Sequence, residues 1–239
     1  MFSIAKKDIR QFFSSLTGYI TIIIFLLVNG LFLFVLKDSN IFDFGYATLE
    51  KFFELAPWVF LFLVPAITMR SLSEEFKTGT FEILQTSPVT RWEIILGKYI
   101  AVLVVIIFTL LPTLIYIYTI SALTPGSIDT GGIMGSYIGL FLLSAMFAAV
   151  SIFCSSLTNN AVVAFLLSAF VCLVLYFGFN AISKLPSLQG KSDYYIEMIG
   201  IDFHYRSISR GVVDSRDVLY FATGIWFSLL LTVKTLHKK

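Results

Sequence analysis

Charge is what this sequence has least of. Asp, Glu, Lys and Arg make up 13% of its 239 residues, roughly half the share usual in a soluble domain, while 57% are hydrophobic and the mean hydropathy is +0.87. That balance excludes a soluble globular chain and points to one embedded in lipid. A net charge of +2 gives no electrostatic footing for nucleic acid, and no nucleic-acid partner is expected. The two cysteines, Cys154 and Cys172, lie inside apolar runs and read as buried thiols that define neither a disulfide nor a redox compartment. His204 and His237 are isolated, without the ligand spacing of a metal site, so no metal is expected. There is no G-x-x-x-x-G-K-[ST] phosphate loop, because Gly97-Lys98 is followed by Tyr99 and lacks the earlier glycine. This chain therefore has no means of its own to hydrolyse a nucleotide.

What fills the sequence is apolar runs. Six approach the ~20 residues that a helix needs to cross a bilayer: about 18–36, 52–69, 100–120, 133–154, 161–179 and 218–233. Pro57 suits a helix start, Pro65 a kink, and Pro112 falls within the third run. The uncharged break Ser155 to Asn160 separates the fourth from the fifth. Ahead of the first, residues 2–16 place Phe2, Ala5, Ile9, Phe12, Phe13 and Leu16 at helical spacing with Lys6, Lys7, Arg10 and Ser14 opposite. That is the pattern of an amphipathic helix lying in the membrane interface. A signal peptide is the alternative, but the following run is too long for an h-region and has no small-residue cleavage site. The spans leave little sequence for an aqueous catalytic domain. The expected fold is all-α, a polytopic bundle of six transmembrane helices forming one domain over 1–239, with an interfacial helix at 1–17 and a polar segment at 181–217.

The densest polar block, Arg70 to Lys98, separates the second and third spans and carries Arg70, Glu74, Glu75, Lys77, Glu82, Arg91, Glu93 and Lys98. Ser71 with Glu74 fits a capping box, Gly79 a helix end, Ser87-Pro88 a break, and Thr90 with Glu93 a second capping box leading into the third span. The block thus reads as a helical hairpin over 70–98. Its plain alternative is a loop resting on lipid. With six spans, ten of the seventeen Lys and Arg residues fall on the side of this block and both termini, which places that side in the cytoplasm. Lys37, Asp38, Asp43, Glu50 and Lys51 fall in the first loop on the opposite side.

The fourth span opens with Gly131, Gly135 and Gly139 at four-residue intervals, followed by Ala145, Ala148 and Ala149. Such a stripe lets helices approach closely in lipid, within the chain or between subunits. An intramembrane enzyme or an ion-coupled carrier would need ionisable groups at depth, and the span interiors carry none. Thr109, Thr113, Ser144, Ser151 and Ser168 offer hydroxyls but no neighbouring base, so no catalytic residue is expected. In the outer segment, His204 reads as a polar position on a short interfacial helix whose Phe203, Ile208 and Val212 face lipid. Asp214 and Asp217 suit the cap of the last span.

The order of residues in the polar block resembles the coupling element of ABC-2-type permeases: Glu74-Glu75, Gly79-Thr80, Glu82, Ile83-Leu84, Ser87-Pro88, Arg91 and Gly97-Lys98. The likeness extends over nearly the whole chain and is nearest to the gliding-motility-associated permeases of that family. The runs FFSSLTGY (12–19), FFELAPWVFLFLVPAITMRS (52–71) and FHYRSISRGVVDSRDVLYF (203–221) carry it. The resemblance implies the permease subunit of an exporter in the bacterial inner membrane, driven by a separate ATPase that holds ATP and Mg. It implies that Phe76, Phe81, Ile83 and Leu84 enter a groove on the ATPase, with Pro88 and the Gly79-Thr80 turn shaping the hairpin and Glu74, Glu75, Glu82 and Arg91 setting register. It also implies a second permease chain, membrane lipid and an extracytoplasmic accessory protein as partners. A membrane anchor that uses ATPase binding to energise an envelope machine, without transport, is the alternative.

Overall fold

A computed structural model of the protein describes residues 1–36, 49–86, 88–123, 129–186, 190 and 193–237. Among these residues the structure is wholly helical, with no strand. Lys37, Asp38 and Asp43 lie outside the described residues.

Helix α1 (Phe2–Ser14) meets α2 (Leu16–Phe34) at a bend of 69°. Ser15 makes the bend. Its backbone is extended, and its hydroxyl caps α2 by accepting from the Gly18 N–H at 3.3 Å. The amphipathic N-terminal helix therefore stops at Ser14, and Leu16, counted by periodicity on its apolar face, instead opens α2 with an exposed side chain.

Helix α3 (Glu50–Thr68) runs through both Pro57 and Pro65. The sequence expectation that Pro57 starts a helix is corrected here, because the helix begins seven residues earlier. Pro57 lacks the N–H that would bond the carbonyl one turn back, that of Phe53. The Tyr205 hydroxyl donates to that carbonyl at 2.6 Å, so the helix continues without an orphaned acceptor.

Two short helices follow, α4 (Ser73–Thr78) and α5 (Thr80–Thr86), then α6 (Arg91–Leu110). Pro112 sits in a single 3-10 turn, Leu111–Thr113, before α7 (Leu114–Leu123). Helix α8 (Thr130–Leu157) is capped by Asp129, which accepts from the Gly132 N–H at 2.9 Å. Asn160 caps α9 (Ala161–Leu173) by accepting from the Val162 N–H at 2.9 Å, which confirms the break between two spans. A π turn, Val174–Gly178, joins α9 to α10 (Phe179–Ser183). After α11 (Asp193–Glu197) and α12 (Ile201–Ser209) comes the closing span α13 (Ser215–His237).

Among the described residues, five helical stretches are long and apolar enough to cross a membrane, and the bent α1–α2 pair makes a sixth when taken together. Helix α8 is the axis of the bundle. Of its apolar window 78% is buried, against 22% in both the α9–α10 stretch and α13, so those two turn most of their surface outward. Helices α3, α6, α9, α12 and α13 all pack against α8. Its small residues make this possible: Ala145, Ala148, Ala149, Ser144 and Ser151 are buried and keep neighbouring backbones close. The outward side chains are Val162, Leu166, Phe170, Leu219, Trp226 and Phe227, an apolar surface of the kind that lipid covers.

Candidate functional site

The polar block between α3 and α6 does fold as a helical hairpin. Gly79, with φ of 72°, ends α4 in the left-handed region that glycine enters without a Cβ penalty. The Thr78 hydroxyl bonds back to the Glu74 carbonyl at 2.8 Å and lies 2.9 Å from that of Thr80. At the far end, the capping box expected at Thr90 and Glu93 is present in both directions. The box expected at Ser71 and Glu74 is not: α4 begins after Leu72 and has no side-chain cap. Its first N–H groups are satisfied from another helix. The Ser155 hydroxyl on α8 accepts from the Leu72 and Ser73 N–H groups, each at 3.2 Å, and donates to the Met69 carbonyl at 3.2 Å. One hydroxyl thus roots the hairpin on the central helix, which removes the need for a local cap.

The hairpin presents a polar outer face. Glu74, Lys77, Thr78, Gly79, Thr80, Glu82 and Pro88 are exposed. The aromatic residues turn inward: Phe81 is 4% exposed and meets the half-buried Phe76 edge-on with centroids 5.0 Å apart. Leu84 is half-buried, and the side chain of Ile83 lies outside the described residues. Arg91 is half-buried and donates from its guanidinium to the His237 ring. The sequence reading put Phe76, Phe81, Ile83 and Leu84 on a face open to a partner. In this fold Phe76 and Phe81 pack into the joint between the hairpin and the bundle, because two short helices cannot hold their shape without an apolar interior. An open groove of about 780 Å³ runs beside α4, lined by Arg70, Glu74, Lys77 and residues of the turn between α8 and α9.

Glu75 also faces inward. Its carboxylate lies 2.7 Å from the Lys98 ammonium, which also donates to the Ser71 carbonyl at 2.8 Å and to Asp8 on α1 at 3.4 Å. The Lys98 side chain is 2% exposed and that of Glu75 12%. Lys7 adds a longer contact to Glu75 at 3.8 Å. Asp8 and Ser155 are the residues of this site that sequence reasoning missed. Lys98 was legible as a member of the polar block and of the Gly97-Lys98 pair but without its partners, and Asp8 and Ser155 carry no local signal, since their partners are 90 and 83 residues away.

The glycine stripe receives α12, not another span. A Cβ at Gly135 would lie 3.0 Å from the Gly211 backbone, and one at Gly139 would lie 2.8 Å from the Ile208 side chain. Gly131, the third member, meets only its own Asp129 cap. Ile208 and His204 are therefore buried, which corrects the picture of a helix lying in the interface with Ile208 toward lipid. His204 Nδ1 is 2.7 Å from the Asp217 carboxylate and Nε2 is 2.9 Å from the Met198 carbonyl. The ring thus bridges a carboxylate and a backbone carbonyl, both of which can accept hydrogen bonds. Tyr220 stacks on the ring at 3.9 Å. Asp217, expected as a cap, is thus a buried partner of His204, while Asp214 keeps the capping role by accepting from the Arg216 N–H at 3.0 Å. That bond holds the Asp214 carboxyl below the usual carboxylate range.

The hydroxyls at membrane depth bond within the fold. Thr109 and Ser168 donate to carbonyls one turn back on their own helices, Ser144 does so three residues back, and Thr113 meets the Tyr137 hydroxyl at 3.0 Å. Such back-bonding is the ordinary way a hydroxyl is satisfied in lipid.

Residues 2–195 match the family model described as ABC-2 family transporter protein. No curated protein matches the chain.

Proposed function

The chain belongs to the ABC-2 family of transporter proteins, so it is a multi-pass membrane permease that works with an ABC ATPase subunit, and on that premise we propose that the α4–α5 hairpin is where the ATPase docks. The observation that carries this is the hairpin itself, a folded polar projection between two membrane spans, rooted on the central helix by Ser155. Its exposed charges, Glu74, Lys77 and Glu82, suit charge-assisted contacts with a soluble partner. The aromatic residues Phe76 and Phe81 act by holding the hairpin's shape.

The contacts at this end of the bundle support a cytoplasmic position for both termini. The Met1 amino group lies 3.9 Å from Glu93, and Arg91 meets His237, so residues near each terminus gather beside the hairpin's exit into α6. A phosphate-loop ATPase works where ATP is, and the excess of Lys and Arg on this side agrees. Two such chains with two ATPases would form an exporter of the bacterial inner membrane. The association with gliding motility rests on the likeness of the runs at 52–71 and 203–221.

Docking is tested by Glu74→Lys and Glu82→Lys in cells expressing the chain with its ATPase. Both should release the ATPase from membranes while the permease stays in them. Retention at wild-type levels in both variants overturns the assignment. Phe81→Ala should act differently, lowering the stability of the hairpin before it lowers ATPase retention. Transport is tested by ATP-dependent movement of a solute or lipid in proteoliposomes holding both subunits. Hydrolysis that responds only to a protein partner would point instead to an anchor.

A further inference from the structure

Resting on the reading that the ATPase docks at the hairpin, we propose that Lys98 is the joint that makes α1 move with the hairpin, a positioning residue that carries displacement of α4–α5 to the interfacial helix. Helix α1 packs against α6 and α2, whereas α4 packs against α5, α8 and α9. Between them lies a cavity of about 400 Å³, lined by Gln11 and Phe12 from α1, Glu74 and Thr78 from α4, and Lys98. Packing therefore does not weld α1 to the hairpin; Lys98 bridges the gap, with Lys7 of α1 adding only its longer contact to the same Glu75 carboxylate at 3.8 Å.

An ammonium group has three donors, and all three are used here. Glu75 at 2.7 Å and the Ser71 carbonyl at 2.8 Å belong to the hairpin and its root, and Asp8 at 3.4 Å belongs to α1. The lysine stands on α6 with its side chain 2% exposed, so the stem cannot swing to follow one partner and abandon another. Charge-assisted bonds in a site shielded from water hold better than the same bonds at a surface. Ser155 fixes the hairpin root to α8 independently, and α1 stays packed on α6 and α2, so removing Lys98 together with the Glu75 charge uncouples α1 from the hairpin without detaching either from the bundle.

The test uses the full chain with its ATPase in lipid nanodiscs. Spin labels on cysteines replacing Lys6 of α1 and Thr86 of α5, both exposed, report the distance between α1 and the hairpin. Native Cys154 and Cys172 are buried and leave the labelling specific. Wild type should show one narrow distance, the same without nucleotide and in an ATP-trapped state. K98M/E75Q, which removes both charges together, should broaden the distribution without nucleotide and shift it with ATP, while the ATPase still copurifies. D8N, which weakens only the α1 arm, should broaden it as well and serves if the double variant does not fold. A distribution as narrow and as insensitive to ATP in both variants as in wild type overturns the proposal, and so does a wild-type distance that moves with ATP. Failure of the ATPase to copurify with wild type overturns the docking assignment instead, and the nucleotide-free widths still decide the joint.

Discussion

At the scale of single residues, the chain departs from its apolar background by burying ionisable side chains in groups. Lys98 with Glu75 and Asp8 is one group, and His204 with Asp217 is another. A lone charge in such surroundings is costly, and breaking a buried pair by removing one partner costs about 3–5 kcal/mol. Lys98→Met alone should therefore destabilise the protein by about that much, because it leaves two carboxylates facing one another. Adding Glu75→Gln should recover most of the loss, and thermal unfolding in detergent would rank the two variants. For the second group, His204→Leu should cost more than Asp217→Asn. The leucine would strand the Asp217 carboxylate, whose Oδ2 already lacks a protein partner, whereas asparagine can still accept from the ring. The same measurement checks that order.

At the scale of elements, the stops and starts follow local rules wherever a cap or a left-handed turn is present, as at Asp129, Asn160, Thr90 and Gly79. Thr90→Ala removes one half of a capping box and should cost about 0.5–2 kcal/mol, seen as a lower melting temperature with the ATPase still bound. The seat of α12 on α8 follows no local rule. Gly135 faces the Gly211 backbone at 3.0 Å, and Gly139 faces Cγ2 and Cβ of Ile208 at 2.8 and 3.1 Å, the stiff β-branched base of that side chain, so neither neighbour yields easily. Gly135→Ala and Gly139→Ala should thus each unseat α12, by roughly 1–3 kcal/mol. Faster proteolysis in the segment 193–214 than in wild type would register the loss.

At the scale of the whole molecule, one long helix rich in small residues organises the rest, and the two ends of the bundle differ in kind. One end gathers the hairpin with Met1 and His237. The other clamps α11 and α12 onto the spans through Tyr205 to the Phe53 carbonyl and Tyr220 to the Ile199 carbonyl, each at 2.6 Å. A membrane-impermeant thiol reagent applied to intact cells should therefore label a cysteine replacing Tyr195 and spare one replacing Thr80. Equal labelling of both would overturn the orientation.

What the sequence determined by itself was everything set over one or two helical turns. Hydropathy marked the spans, because crossing lipid needs an unbroken apolar length. Thr90 with Glu93 and Gly79 marked the hairpin's boundaries, because caps act within three or four residues. Pro57 misled, since the satisfaction of the Phe53 carbonyl by Tyr205 involves residues 152 apart. Only the tertiary structure decided which side of the hairpin is free and which is anchored. Glu75 and Glu82 are both acidic residues on short amphipathic helices, yet one is locked to Lys98 and the other is exposed. The difference lies in which helix stands opposite each, and in lipid that is settled by the packing of small residues along α8, which no local pattern of charge records.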